Sequence, residues 1–299
     1  MSKFHSFGHI TNNVLNIKRF FTHNSKNIPV YLSASFQKKN TKVSTPVTLE
    51  HPDSGEDAFL CVKKPNYSLA AVFDGVGGWA SKGIDPSKFS WGLCKQLEQL
   101  VSSKQSLMKN PTELLTSAFN ALKKSKTVVA GSSTACIATY EEETCKLRTL
   151  NLGDSGYMLI RNGLVEYISP PQTVQFNTPF QLSIYPTAQP YEDPMQPRVG
   201  QKNTHNILQN DVVIVATDGL FDNMEAEDCA NIVRQLISSP SQDPQSLADK
   251  IVKTICQQAV SNSRDEVWLS PFARAAQTVG YRYTGGKVDD TTVLCMLFQ

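Results

Sequence analysis

Ala70-Ala71-Val72-Phe73-Asp74-Gly75-Val76-Gly77-Gly78 is the stretch that decides the fold. An apolar run stops abruptly on a carboxylate and a glycine-rich turn. The same construction recurs at Val212-Val213-Ile214-Val215-Ala216-Thr217-Asp218-Gly219. A strand that ends on Asp-Gly holds its carboxylate at a sheet edge, and the glycine lets another group approach closely. Glu56-Asp57 and Asp289-Asp290 add further carboxylates that a fold can gather in one place. No lysine or arginine stands out as their partner, and gathered carboxylates without one suit hard divalent cations.

Working outward, residues 58–62 and 69–73 read as strands around the turn Lys63-Lys64-Pro65-Asn66. Asp85-Pro86 reads as a helix start with proline in the first helical position. Phe89, Leu93, Leu97 and Leu100 follow at helical spacing. Pro111 opens a second helix, which Gly131-Ser132-Ser133 is expected to end. Strands are expected over 134–140, 146–151, 157–160 and 164–168, with Arg161-Asn162-Gly163 as a hairpin turn. Residues 170–206 hold seven of the sixteen prolines and read as a long irregular segment, the kind that forms binding loops or lids. Helices are expected near 225–237, 244–261 and 271–279, and a last strand over 292–298. Runs of like elements point to an antiparallel α+β sandwich, not a doubly wound parallel sheet.

The chain has 299 residues, 40% hydrophobic and 19% charged, enough for one large core. Its first acidic residue is Glu50. Residues 1–49 contain seven lysines and arginines and many Ser, Thr and Asn, and 13–21 can form a short amphipathic turn. Such an acid-free segment reads as a mitochondrial transit peptide and flexible leader, followed by one domain over 50–299. Beyond the leader, 22 basic residues face 27 acidic ones, so the overall basicity belongs to the leader and does not recommend a nucleic-acid partner. The seven cysteines form no CxxC and lie mostly among apolar neighbours, as reduced, buried thiols do. No apolar run approaches the roughly 18 residues that span a bilayer.

Taken singly, an Asp before Gly is usually turn chemistry. Here five segments occur in order: Gly55-Glu56-Asp57-Ala58, Asp74-Gly75-Val76-Gly77-Gly78, Gly153-Asp154-Ser155-Gly156, Asp218-Gly219-Leu220-Phe221-Asp222-Asn223 and Asp289-Asp290-Thr291-Thr292. Other motifs fail on their own residues. Ala80 replaces the third glycine of a dinucleotide loop, no GxxxxGK[ST] occurs, and Ser155 is not in a GxSxG.

In that order the five segments resemble the type 2C, metal-dependent (PPM) serine/threonine protein phosphatases, over about residues 50–299. Asp74 to Trp79, followed by Gly83-Ile84-Asp85-Pro86-Ser87, is similar to the mitochondrial T-cell-activation-type branch and its fungal relatives. The resemblance implies a four-layer α/β/β/α sandwich with two mainly antiparallel sheets. It implies that Asp74 bridges two Mg²⁺ or Mn²⁺ ions, joined by the carbonyl of Gly75. Glu56 matches the ligand of one ion, and Asp218 and Asp289 match ligands of the other. Asp154 and Asp222, with Asp218, match a looser third-metal site. Asp57 and Asp290, adjacent in sequence to Glu56 and Asp289, are expected to support the ligands from behind.

The implied activity is hydrolysis of phosphoserine and phosphothreonine by in-line attack of a water held between the ions. The implied setting is the mitochondrial matrix, as a monomer, with metabolic or coenzyme Q biosynthetic enzymes among the phosphorylated partners. Two positions depart from the pattern. Val76 stands where many members have a histidine that protonates the leaving group, and Pro52 where many have a phosphate-binding arginine. His51 is a nearby substitute for one of these roles, and solvent or metal-bound water is another source of the proton. The departures also leave a second reading open: a phosphatase-like module that binds phosphoproteins without turnover.

Overall fold

Ala70 and Val72 pack between two sheets, while Ala71 and Phe73 on the same strand pack under helices. That alternation, repeated on strand after strand, builds four layers. A computed structural model describes residues 27–39, 51–187, 195–238 and 243–299. Residues 13–21, read above as an amphipathic turn, lie outside the described residues.

In chain order the elements begin with β1 (Val30–Gln37), β2 (Asp57–Lys64), β3 (Tyr67–Asp74), α1 (Ser87–Ser103) and α2 (Pro111–Ser125). Next come β4 (Gly131–Ser133), β5 (Ala135–Glu141), β6 (Lys146–Leu152), β7 (Gly156–Arg161) and β8 (Leu164–Ile168). The short strands β9 (Thr173–Gln175), β10 (Thr178–Pro179) and β11 (Leu182–Ile184) precede β12 (Gln201–Asn206) and β13 (Val212–Ala216). The chain finishes with α3 (Asp218–Phe221), α4 (Ala226–Ile237), α5 (Pro244–Ser263), α6 (Pro271–Thr278) and β14 (Thr291–Phe298).

One five-stranded sheet runs β1-β14-β13-β7-β8 and the other β12-β6-β5-β3-β2, with every pairing antiparallel. Their inner faces meet through Ala70, Val72, Tyr140, Val213, Val215, Leu294 and Met296. Phe89, Leu93, Leu97 of α1 and Leu114, Leu115, Phe119 of α2 cover one outer face. Val233 of α4 and Ile251, Ile255 of α5 cover the other. This is the expected α+β four-layer sandwich.

Three helices start on a proline behind a side-chain cap, so their sequence signals are local. Asn110 accepts from Thr112 and Glu113 amides ahead of α2, Asp243 from Ser246 ahead of α5, and Ser270 from Ala273 ahead of α6. The first helix begins one residue later than expected: Pro86 is its cap, and the Asp85 carboxylate accepts from the Ser87 amide at 3.0 Å.

Three expectations are corrected. First, the globular fold does not begin at residue 50. β1 lies inside the stretch read as leader and pairs with β14 in register from Val30↔Phe298 to Gln37↔Thr291. Its Val30, Leu32 and Ala34 face the inter-sheet core, the alternation of a strand that acid-free composition had masked. Second, residues 170–206 are not irregular throughout, because β12 pairs with β6 along its full length. Its polar sequence suits an edge strand, which needs only one neighbour. Third, α2 stops on Lys126 in a left-handed conformation (φ 57°), and Gly131–Ser133 is strand β4, paired with β11.

Candidate metal centre

Asp74 ends β3 and sits opposite Asp57 of β2 in the strand register. Asp218 follows β13 after one residue, Asp289 and Asp290 lead into β14, and Asp154 lies in the turn between β6 and β7. Both sheets therefore deliver carboxylates to one edge of the sandwich. Carboxylate oxygens of Asp74, Asp154 and Asp218 lie within 4.8 Å of one another.

Backbone ties hold this edge. The Gly75 amide donates to the Glu56 carbonyl at 3.1 Å, and the Ser90 hydroxyl donates to the same carbonyl at 2.6 Å. Asp74 and Thr134 are locked by reciprocal bonds, the Asp74 amide to Thr134 Oγ1 at 3.2 Å and the Thr134 amide to the Asp74 carbonyl at 3.0 Å. A Cβ on Gly219 would lie 2.1 Å from the Asp290 carbonyl oxygen, so only glycine lets the β13 end approach the β14 start this closely.

Behind the cluster, Asp57 Oδ2 accepts from the hydroxyls of Thr217 at 2.9 Å and Thr292 at 2.7 Å. It thereby fixes the residue before Asp218 and the strand after Asp290. Asp290 accepts the amides of Lys39 at 2.7 Å and Glu56 at 2.8 Å. Both carboxylates therefore tie the backbone segments that carry Glu56, Asp218 and Asp289.

Two lysines absent from the sequence reading enter the cluster, which corrects the expectation of carboxylates without basic partners. Lys39 Nζ donates to Glu56 Oε2 at 2.8 Å and Asp289 Oδ1 at 3.1 Å. Lys287 Nζ donates to Asp218 Oδ2 and Asp222 Oδ2, both at 2.6 Å, and stands 3.3 Å from Asp289 Oδ2. Asp289 thus touches both ammonium groups and joins the two halves. Lys287 was findable, two positions before Asp289. The Lys39–Asp289 contact was not, because it spans 250 residues of sequence.

Burial, then the charges of Asp218 and Asp57, pushes the Asp74 carboxyl well above the usual range. Burial and Asp218 lift Asp154 to about 7. Asp222 is also raised, by burial first, with Lys287 opposing. Burial works against ionisation of Asp218 too, but Lys287 outweighs it and holds this carboxyl low. So many carboxylates cannot all ionise together without cations. Asp154 Oδ1 is buried with no hydrogen-bond partner. An all-oxygen donor set with an orphaned carboxylate oxygen, already drawing two ammonium groups, fits Mg²⁺ or Mn²⁺ and does not fit a zinc site.

The structure brings Glu56, Asp74, Asp154, Asp218, Asp222 and Asp289 together, with Gly75 seated between Glu56 and Ser133. The departures show their consequences. The Val76 amide bonds the Ser132 carbonyl at 3.0 Å, and its side chain carries no proton to give. His51 stacks on Trp91 with centroids 4.1 Å apart, and its Nδ1 lies 3.2 Å from the Pro52 carbonyl. Neither contact is with a cluster carboxylate. All seven cysteines are free thiols, five of them buried.

The family profile of Stage II sporulation protein E (SpoIIE) matches residues 65–269. The chain is similar to the 5-azacytidine resistance protein azr1 of Schizosaccharomyces pombe, 48% identical over 269 residues and covering 90% of each chain. It is similar to the protein phosphatase PTC7 homolog of Homo sapiens, 37% identical over 241 residues, 80% of this chain and 78% of that one. Among solved structures it resembles the photosystem II phosphatase PBCP, with TM-score 0.73, 26% identity, and coverage of 91% of this chain and 99% of that one.

Proposed function

The chain belongs to the PP2C (PPM) family of protein serine/threonine phosphatases, and from that premise we propose that the sandwich-edge cluster hydrolyses phosphoserine and phosphothreonine in mitochondrial proteins with two Mg²⁺ or Mn²⁺ ions. The observation that carries this reading is the convergence of Asp74, Asp154 and Asp218 oxygens within 4.8 Å.

Glu56 would hold one ion, Asp218 and Asp289 the other, and Asp74 both, with the Gly75 carbonyl as a further ligand. Asp154 and Asp222, with Asp218, would hold a looser third. Magnesium or manganese held there neutralises the phosphoryl dianion and makes water nucleophilic at neutral pH. The chain's own residues supply position. Strands β3 and β13 aim Asp74 and Asp218 from opposite sheets, Asp57 anchors the Thr217–Thr292 pair, and Asp290 clamps the Glu56 backbone. Val76, two residues after Asp74, has no proton to give, and solvent or metal-bound water would protonate the leaving alkoxide. The proposal extends to a monomer acting in the matrix, imported through the acid-free N-terminus. Metabolic and coenzyme Q biosynthetic enzymes are its proposed substrates.

The test is hydrolysis of a phosphothreonine peptide by the full chain with Mn²⁺, against Asp74→Asn. We expect Mn²⁺-dependent turnover that falls on the order of a thousand-fold in the variant. Equal rates in the two proteins, or none in either, would refute the reading. For import, the full chain fused to a fluorescent protein should enter mitochondria, and replacing Lys3, Lys18 and Arg19 by Glu should leave it in the cytosol.

A further inference from the structure

Beside the carboxylate cluster lies a cavity of about 380 Å³. Phe176, Phe221, Phe272 and Ile168 line it, and Asp154 and Asp222 form one wall. Those two carboxylates also belong to the cluster, so cavity and centre share a boundary. The aromatic lining is continuous. Phe176 meets Phe272 at 5.1 Å between centroids and stacks on Tyr281 at 5.6 Å. Ile168, one of the lining residues, is 42% exposed, so the cavity is open to solvent.

The shared wall decides the occupant. A group bound in the cavity while a phosphoryl group occupies the cluster must reach both places, and the phosphoprotein chain does so. An extended chain advances roughly 3.3–3.6 Å per residue, which places the visiting side chain within about three residues of the phosphorylated one. The wall carboxylates do not make this a basic-residue site. Asp222 is paired with the Lys287 ammonium, which itself lies 5.1 Å from the Phe272 ring centroid, and Asp154 belongs to the Asp74–Asp218 triangle. What is left to meet a side chain is mainly aromatic and aliphatic, with Ser169, Thr173 and Asn177 as its uncharged polar groups. We infer that this cavity is a specificity subsite that takes a large apolar side chain, such as leucine, methionine or phenylalanine, flanking the phosphoserine or phosphothreonine. The inference rests on the phosphatase reading of the cluster.

Phosphothreonine peptides with leucine, phenylalanine, lysine or alanine at each position from three before to three after the phosphoresidue provide the test, with the full chain and Mn²⁺. One position should favour leucine or phenylalanine over alanine by about ten-fold or more in kcat/KM. Ala275→Trp, which fills the cavity from its α6 rim, should abolish that preference, and Phe176→Ala should reduce it. Both variants should hydrolyse the alanine-flanked peptide at the wild-type rate, which also reports that they fold. Equal kcat/KM across the scan would overturn the subsite, as would a preference that survives both variants. Stronger preference for lysine would overturn the apolar occupant. Loss of hydrolysis for every peptide in the wild type would instead sink the phosphatase reading beneath it.

Discussion

Lys39 Nζ lies 2.8 Å from Glu56 Oε2, so a residue just beyond β1 places a positive charge on a proposed metal ligand. The flanking carboxylates, Asp289 foremost, outweigh burial and keep that ammonium protonated. A divalent cation and this lysine compete for the same oxygens. Lys39→Met should therefore bind Mn²⁺ about ten-fold more tightly in calorimetry, equivalent to roughly 1.4 kcal/mol. The variant without metal should be less stable by about 1–3 kcal/mol, because Glu56 and Asp289 lose a charged donor. Unchanged Mn²⁺ affinity would show that the lysine and the ion do not share ligands.

Asp218 is proposed as a direct ligand and also carries the Lys287 ammonium. Asp218→Asn should weaken Mn²⁺ binding and slow phosphopeptide hydrolysis, each by on the order of a hundred-fold. Full activity at limiting Mn²⁺ would remove Asp218 from the centre.

Glu141 sets a pH dependence remote from the centre. Burial favours its neutral form, but Thr144, Tyr67 and Arg148 bind the carboxylate and bring its pKa down to about 2. A depressed folded pKa stabilises the fold above the unfolded value, near 4.5, and that contribution disappears as pH falls toward 2. The stability gap between wild type and Glu141→Gln should be constant above about pH 5 and shrink below it. Urea unfolding across pH 6 to 3 measures this. A gap independent of pH would mean that the ion pair with Arg148 does not persist in solution.

A chain starting at residue 50 loses β1 and uncovers the edge of β14. Against a chain starting at residue 27, it should lose at least about 3 kcal/mol, or roughly 6–12 °C in Tm, and aggregate through the open strand. Equal melting temperatures would make β1 dispensable.

What was legible in the sequence was local. Asp74 and Asp218 announce themselves because an apolar strand stops on each, and α2, α5 and α6 because a proline follows a capping side chain. β1 and Lys39 were hidden by distance. Nothing near Val30 signals a partner at Phe298, and nothing near Lys39 signals Asp289. β12 was hidden by chemistry, since Gln201–Asn206 has no apolar face to betray a strand that rests on a single neighbour.

The pairing of β1 with β14 also has a consequence in time. The first strand of the sheet waits for the last, and Asp289 and Asp290 arrive only with the final dozen residues. On the ribosome neither that sheet nor the carboxylate edge can close before β14 has emerged. The β12-β6-β5-β3-β2 sheet, complete by Asn206, has no such wait, so one half of the sandwich can form before the other. The carboxylate edge, which needs strands from both sheets, is the last part of this fold to be assembled.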